Sequence, residues 1–80
     1  MTLFICNLEE FWPVVDCARR LPGVSLRRRG HYAELQSDVP IVIDRRATGV
    51  RHAVWYSVIA GVSGGRVAQF DADALALQPE

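Results

Sequence analysis

The residues best equipped for chemistry in this chain lie between Asp44 and His52, where Arg45, Arg46 and Arg51 accompany one carboxylate and one imidazole. Two or three guanidinium groups converging on one loop would clamp a phosphate or carboxylate through paired N–H donors. Arg45, Arg46, Arg51 and His52 are therefore the candidate site for a small anion. The plainer alternative is that these arginines are solvated at strand ends or paired with a local acid such as Asp44. His31 and His52 carry the side chain suited to general acid or base chemistry, or to metal ligation. They stand twenty-one residues apart with no third ligand at metal-binding spacing, so neither a metal site nor a catalytic residue is assigned.

Cys6 and Cys17 offer nucleophile or disulfide chemistry only if the fold brings a partner to them. With a helix between them, their separation along its axis is roughly 8 to 15 Å, beyond the reach of about 7 Å between bridged alpha carbons. Free, reduced thiols and a cytoplasmic setting are the expectation. The glycines of Gly61–Gly65 lack the Lys-Ser/Thr ending of a phosphate-binding loop and read as a turn. Trp12 with Trp55 and Tyr32 with Tyr56 have the ring faces to stack bases. In so small a chain, such rings serve the core first.

Composition narrows the classes further. Eighty residues make one domain, 1–80. Such a chain buries only about 60 to 65 per cent of its unfolded surface. Half of the residues are nonetheless hydrophobic, more than one compact core needs, so part of the apolar surface is expected to meet a partner. That fraction excludes intrinsic disorder, and no apolar run approaches the roughly 18 to 20 residues of a membrane span. The start, MTLFICNLEEFW, lacks a basic segment and a cleavage site, unlike a signal peptide. Net charge is zero and the nine basic residues are all arginine. The bias fits a GC-rich genome, and the neutral total makes nucleic acid an unfavoured partner. Eight of the nine arginines nevertheless fall between Arg19 and Arg51, which leaves room for a local basic patch.

The elements that must position these residues follow from periodicity. Thr2–Cys6 is strand-like. Asn7, with Glu10 three residues on, has the pattern of a capping box. Leu8, Phe11, Val15 and Ala18 then keep a helical rhythm, with Pro13 suited to a first helical turn and Leu21-Pro22-Gly23 as the stop. From Val24 the period falls to two: strands flank Gly30, and a third begins after Pro40. Residues 53–60, AVWYSVIA, are β-branched and aromatic and predict a strand apolar on both faces, although Thr48-Gly49 could instead open a helix. Gly61–Gly65 is then a hairpin loop, Arg66–Phe70 the returning strand, and Asp71–Asp73 a turn.

The resulting fold class is α+β: one N-terminal amphipathic helix on a mainly antiparallel sheet of about five to six short strands, possible closure into a small barrel included. One helix covers one face of such a sheet. The other face is polar or meets something else. The leading functional class is a small intracellular accessory or interaction module, self-associating or docked on a larger protein, with Trp55, Tyr56 and Val58 as the expected contact face. The anion-binding module is the alternative. An enzyme is the least supported class, and no cofactor is implied.

Overall fold

A computed structural model describes all 80 residues, Met1–Glu80. The chain is α+β, with two antiparallel sheets and no closed barrel. Strand β1 (Thr2–Cys6) alternates strictly, with Leu3 and Ile5 buried and Phe4 and Cys6 on the other face. It pairs with β3 (Tyr32–Gln36), whose Ala33 and Leu35 are buried in turn. β2 (Ser25–Arg29) and β5 (Gly61–Ser63) form the edges of this sheet, in the order β2-β3-β1-β5. Gly30 makes the β2–β3 turn at φ +55°, a backbone that side chains resist.

The second sheet has the order β4-β7-β6, from β4 (Ile41–Asp44), β6 (Gly65–Phe70) and β7 (Ala74–Pro79). Ile41 and Ile43 pair with Leu77 and Leu75 and are buried with them. The single sheet inferred from the sequence is thus two. The chain passes from one to the other at Gly64-Gly65, where β5 ends and β6 begins, so these residues extend two strands instead of capping a hairpin. Gly64 has φ +72°, and a Cβ at Gly65 would lie 2.5 Å from the Met1 sulfur and 2.7 Å from the Gln78 carbonyl. The corner closes only with glycine in place.

Helix α1 (Trp12–Arg19) carries Pro13 in its first turn and buries Val14, Val15 and Ala18. A 3-10 turn at Glu9–Phe11 precedes it. The capping box does not form. Leu8 occupies the cap of that turn without a side-chain bond, and the Asn7 Oδ1 instead accepts from the Trp12 indole N–H at 3.2 Å. Both cysteines are free.

The largest departure from expectation concerns residues 53–60. They contain no strand. After α2 (Arg45–Thr48), Gly49 takes φ 75° and ends the turn, Arg51 is extended, and α3 (His52–Trp55) begins. A turn at residues 56–57 and irregular backbone lead on to Gly61. Helical bonds run from Trp55 N–H to Arg51 C=O and from Tyr56 N–H to His52 C=O. The physical reason is tertiary: Val50, Trp55 and Val58 all enter the core, and this burial outweighs the strand preference of their side chains. The core joins these three to the inner faces of both sheets and to the buried stripe of α1. No helix is long and apolar enough to cross a membrane.

Candidate functional site

The arginine loop is first of all a structural clamp. Arg45 donates its backbone N–H to the Asp73 carbonyl at 2.9 Å. Its guanidinium donates to the carbonyls of Ala72 and Val50. The Thr48 hydroxyl closes the other side, donating to the Arg45 carbonyl at 2.6 Å while accepting from Val50 N–H at 3.3 Å. Arg45 therefore binds two stretches of its own chain. Arg46, Arg51 and His52 remain exposed.

Trp55, Tyr56 and Val58 do not share a surface. Trp55 is fully buried, its indole N–H donating to the Asp71 carbonyl at 2.6 Å. Val58 is buried beside it, and only Tyr56 faces outward, 53% exposed. The helical turn sends neighbouring side chains about 100° apart, so Trp55 enters the core while Tyr56 points to solvent. Outside the core, His52 stacks on Tyr56 with centroids 6.5 Å apart, and Tyr56 tilts against Phe70 at 5.7 Å.

Arg45 and Trp55 converge on one turn, Asp71–Asp73. The Asp71 carboxylate organises it, accepting from the backbone N–H of Asp73 at 2.9 Å and of Ala74 at 3.0 Å, and from the Gln69 amide at 2.9 Å. The Ala74 and Asp73 N–H groups, with Gln69, hold this carboxyl below the ordinary aspartate value of 3.8. A depressed folded-state pKa stabilises the fold above the unfolded value, and that contribution disappears as pH falls through the folded one. Carbon-13 carboxyl titration is expected to place the Asp71 midpoint below that of aspartate in an unstructured peptide. In Asp71→Ala, the matching segment of the acid-unfolding curve is expected to vanish; an unchanged curve would mean the turn holds without this carboxylate.

Two aromatic rings lie among charged residues on the outer side of the four-stranded sheet. There Phe4 lies opposite Glu34, which lies opposite Arg27, and Cys6 lies opposite Tyr32, which lies opposite Arg29. The Phe4 and Tyr32 rings meet edge to face at 6.3 Å and 82°. Asn7 extends this surface: its N–H donates to the His31 carbonyl at 2.7 Å and its side chain holds the Trp12 indole. Leu8, Trp12 and Tyr32 are 51, 45 and 44% exposed. The periodicity of Leu8 marks it as part of a helical core stripe, and Trp12 is expected to serve the core. Leu8 instead caps the 3-10 turn with extended backbone and Trp12 opens α1 on its exposed side.

No catalytic constellation accompanies these surfaces. No group of three or more His, Cys, Asp or Glu side chains has the geometry to hold a metal ion. Every buried side-chain polar atom is hydrogen-bonded.

Neither a family model nor a curated protein matches the chain. Its fold is similar to that of a chain in the solved structure of a phenol hydroxylase–regulatory protein complex. The TM-score is 0.76 at 13% identity, and the match covers 100% of both chains. The neighbour is thus itself a small chain found within a larger enzyme assembly, and the likeness to it is one of fold.

Proposed function

We propose that this protein is a small accessory module that docks on a larger protein through the outer face of its four-stranded sheet. The observation that carries the reading is the Phe4–Tyr32 ring pair on this face, together with the exposed side chains of Leu8, Trp12 and Tyr32. Tryptophan, tyrosine and arginine are the residues that most often dominate interface energetics, and Arg27 and Arg29 border these rings. The full-length likeness to a chain of a phenol hydroxylase–regulatory protein complex supports a larger enzyme, a hydroxylase in the first instance, as the class of partner. The module contributes contact surface and the partner contributes the chemistry.

The test is capture of one partner by the tagged protein, followed by reconstitution of the complex from the two purified components. Trp12→Glu and Tyr32→Glu are expected to lose the partner while remaining folded. A complex that tolerates both substitutions would overturn the docking face. A strictly monomeric protein that forms no reconstitutable complex would overturn the module itself.

A narrower second reading places a small anion on Arg46, Arg51 and His52. Its support is that these groups are exposed and that the one ion pair in the fold, Asp16–Arg19, lies elsewhere. Phosphate titration is expected to move the Arg51 and His52 amide resonances. Unmoved resonances at saturating phosphate would remove this reading.

A further inference from the structure

Strand β2 ends the four-stranded sheet on one side, with no strand beyond it. Which of its backbone groups are free follows from the ladder. The Asn7 N–H donates to the His31 carbonyl at 2.7 Å, which makes Cys6 and Tyr32 a non-hydrogen-bonded pair and turns the N–H and C=O of Tyr32 away from β1, toward Arg29. By alternation, Ser25, Arg27 and Arg29 bond to β3, whereas the N–H and C=O of Leu26 and Arg28 point out from the open edge. No turn, cap or second strand of the fold takes them up.

The side chains along this edge carry one sign of charge. Arg27, Arg28 and Arg29 are all exposed. Arg27 and Arg29 lie on the outer face of the sheet, and Arg28, opposite the buried Ala33, lies on the inner one. Glu34, opposite Arg27, is the one acid in β3. The single ion pair of the fold joins Asp16 to Arg19, so none of the three guanidinium groups is bridged. Asp38 stands at the other end of β2, where it shares a polar hollow with Ser25.

We infer that the open edge of β2 accepts an acidic strand of a partner protein, its backbone bonding to Leu26 and Arg28 and successive carboxylates lying beside Arg27, Arg28 and Arg29. The free N–H and C=O groups call for extended backbone. Three adjacent arginines alternate between the two faces of the sheet, and an added strand sends its own successive side chains to both faces in step with them. A phosphate backbone or a flat anionic surface would reach only one face. The same charges repel a basic strand, and they repel a second β2, which would set arginine against arginine. The other edge strands of this chain, β4, β5 and β6, hold no adjacent acids, so a second copy has no strand of the required kind to offer. The source of the acidic strand, a partner protein, rests on the docking reading above, yet the edge is tested without that partner.

The probe is a fluorescein-labelled peptide, Thr-Val-Glu-Glu-Glu-Val-Thr, titrated into the full-length protein and read by anisotropy and amide shifts. Saturable binding is expected, weakening as salt rises, with the largest shifts at Leu26 and Arg28, whose N–H groups gain acceptors. Arg28→Glu is expected to weaken binding about tenfold or more, since like charges then face each other. Arg28 is exposed and lies off the outer face, so this variant keeps both the fold and the aromatic docking surface. Two further peptides, N-methylated at one or the other set of alternate residues, separate backbone pairing from charge. The set whose amides face β2 is expected to abolish binding and the other to preserve it. Trp12→Glu is expected to leave the peptide bound, so failure at the edge and failure of the docking face are told apart. Any of these results overturns the acidic strand: no saturable binding, equal binding of a peptide with lysine in place of glutamate, full binding to Arg28→Glu, or equal effects of the two methylated sets. A single-stranded oligonucleotide that shifts Leu26 and Arg28 where the acidic peptide does not would overturn it as well.

Discussion

Trp55→Ala is expected to cost about 3 to 5 kcal/mol of unfolding free energy, the range for removing a buried aromatic side chain. A domain of this size has a total stability of roughly 5 to 15 kcal/mol, so a large part of it depends on this one indole. The ring is fully buried, tilts against Phe70 at 5.7 Å, and donates its N–H to the carbonyl of Asp71. Trp55→Phe separates the two contributions. It keeps much of the apolar volume but leaves the Asp71 carbonyl without its donor, at a cost of about 1 to 3 kcal/mol. Urea unfolding of the three proteins is expected to rank them wild type, phenylalanine, alanine. An alanine variant within about 1 kcal/mol of wild type would mean that α3 is not anchored through this residue.

Trp12→Glu and Tyr32→Glu are expected to behave in the opposite way. Both rings are about half exposed, so each substitution should change stability by no more than about 1 kcal/mol. At the docking face, however, a carboxylate would replace an aromatic anchor and be desolvated without a partner. The expected loss is about 2 kcal/mol of binding or more, near thirtyfold in Kd. Tyr56→Glu is the matched control. Tyr56 is as exposed as the others but lies on α3 beside His52 and Phe70, and its replacement should leave the complex intact. Isothermal titration with the reconstituted partner, alongside urea unfolding, checks both halves. Equal losses from Tyr56→Glu and Tyr32→Glu would move the interface toward α3.

The hairpin around Gly30, the strand after Pro40 and the Pro13 helix start were legible in the sequence because each is decided within a few residues by turn chemistry or period. Residues 53–60 were not. Their composition favours a pleated surface, and what overrides it is the burial of Val50, Trp55 and Val58 against Phe70 and the rest of the core. Arg45 is a similar case. Its bonding partner Ala72 lies 27 residues away, so nothing near Asp44–His52 distinguishes a guanidinium that clamps its own chain from one that awaits an anion. The contact face expected on Trp55, Tyr56 and Val58 did not form, since Trp55 and Val58 are buried. The signal for the outer face of β1 was the alternation of Phe4 and Cys6 with Leu3 and Ile5.

Hydrogen exchange of the reconstituted complex, compared with the free protein, measures the docking face most directly. Added protection is expected along β1, over residues 7–12 and at the start of β3, with α3 unchanged. Protection confined to α3, or absent from the outer face of the four-stranded sheet, would contradict it.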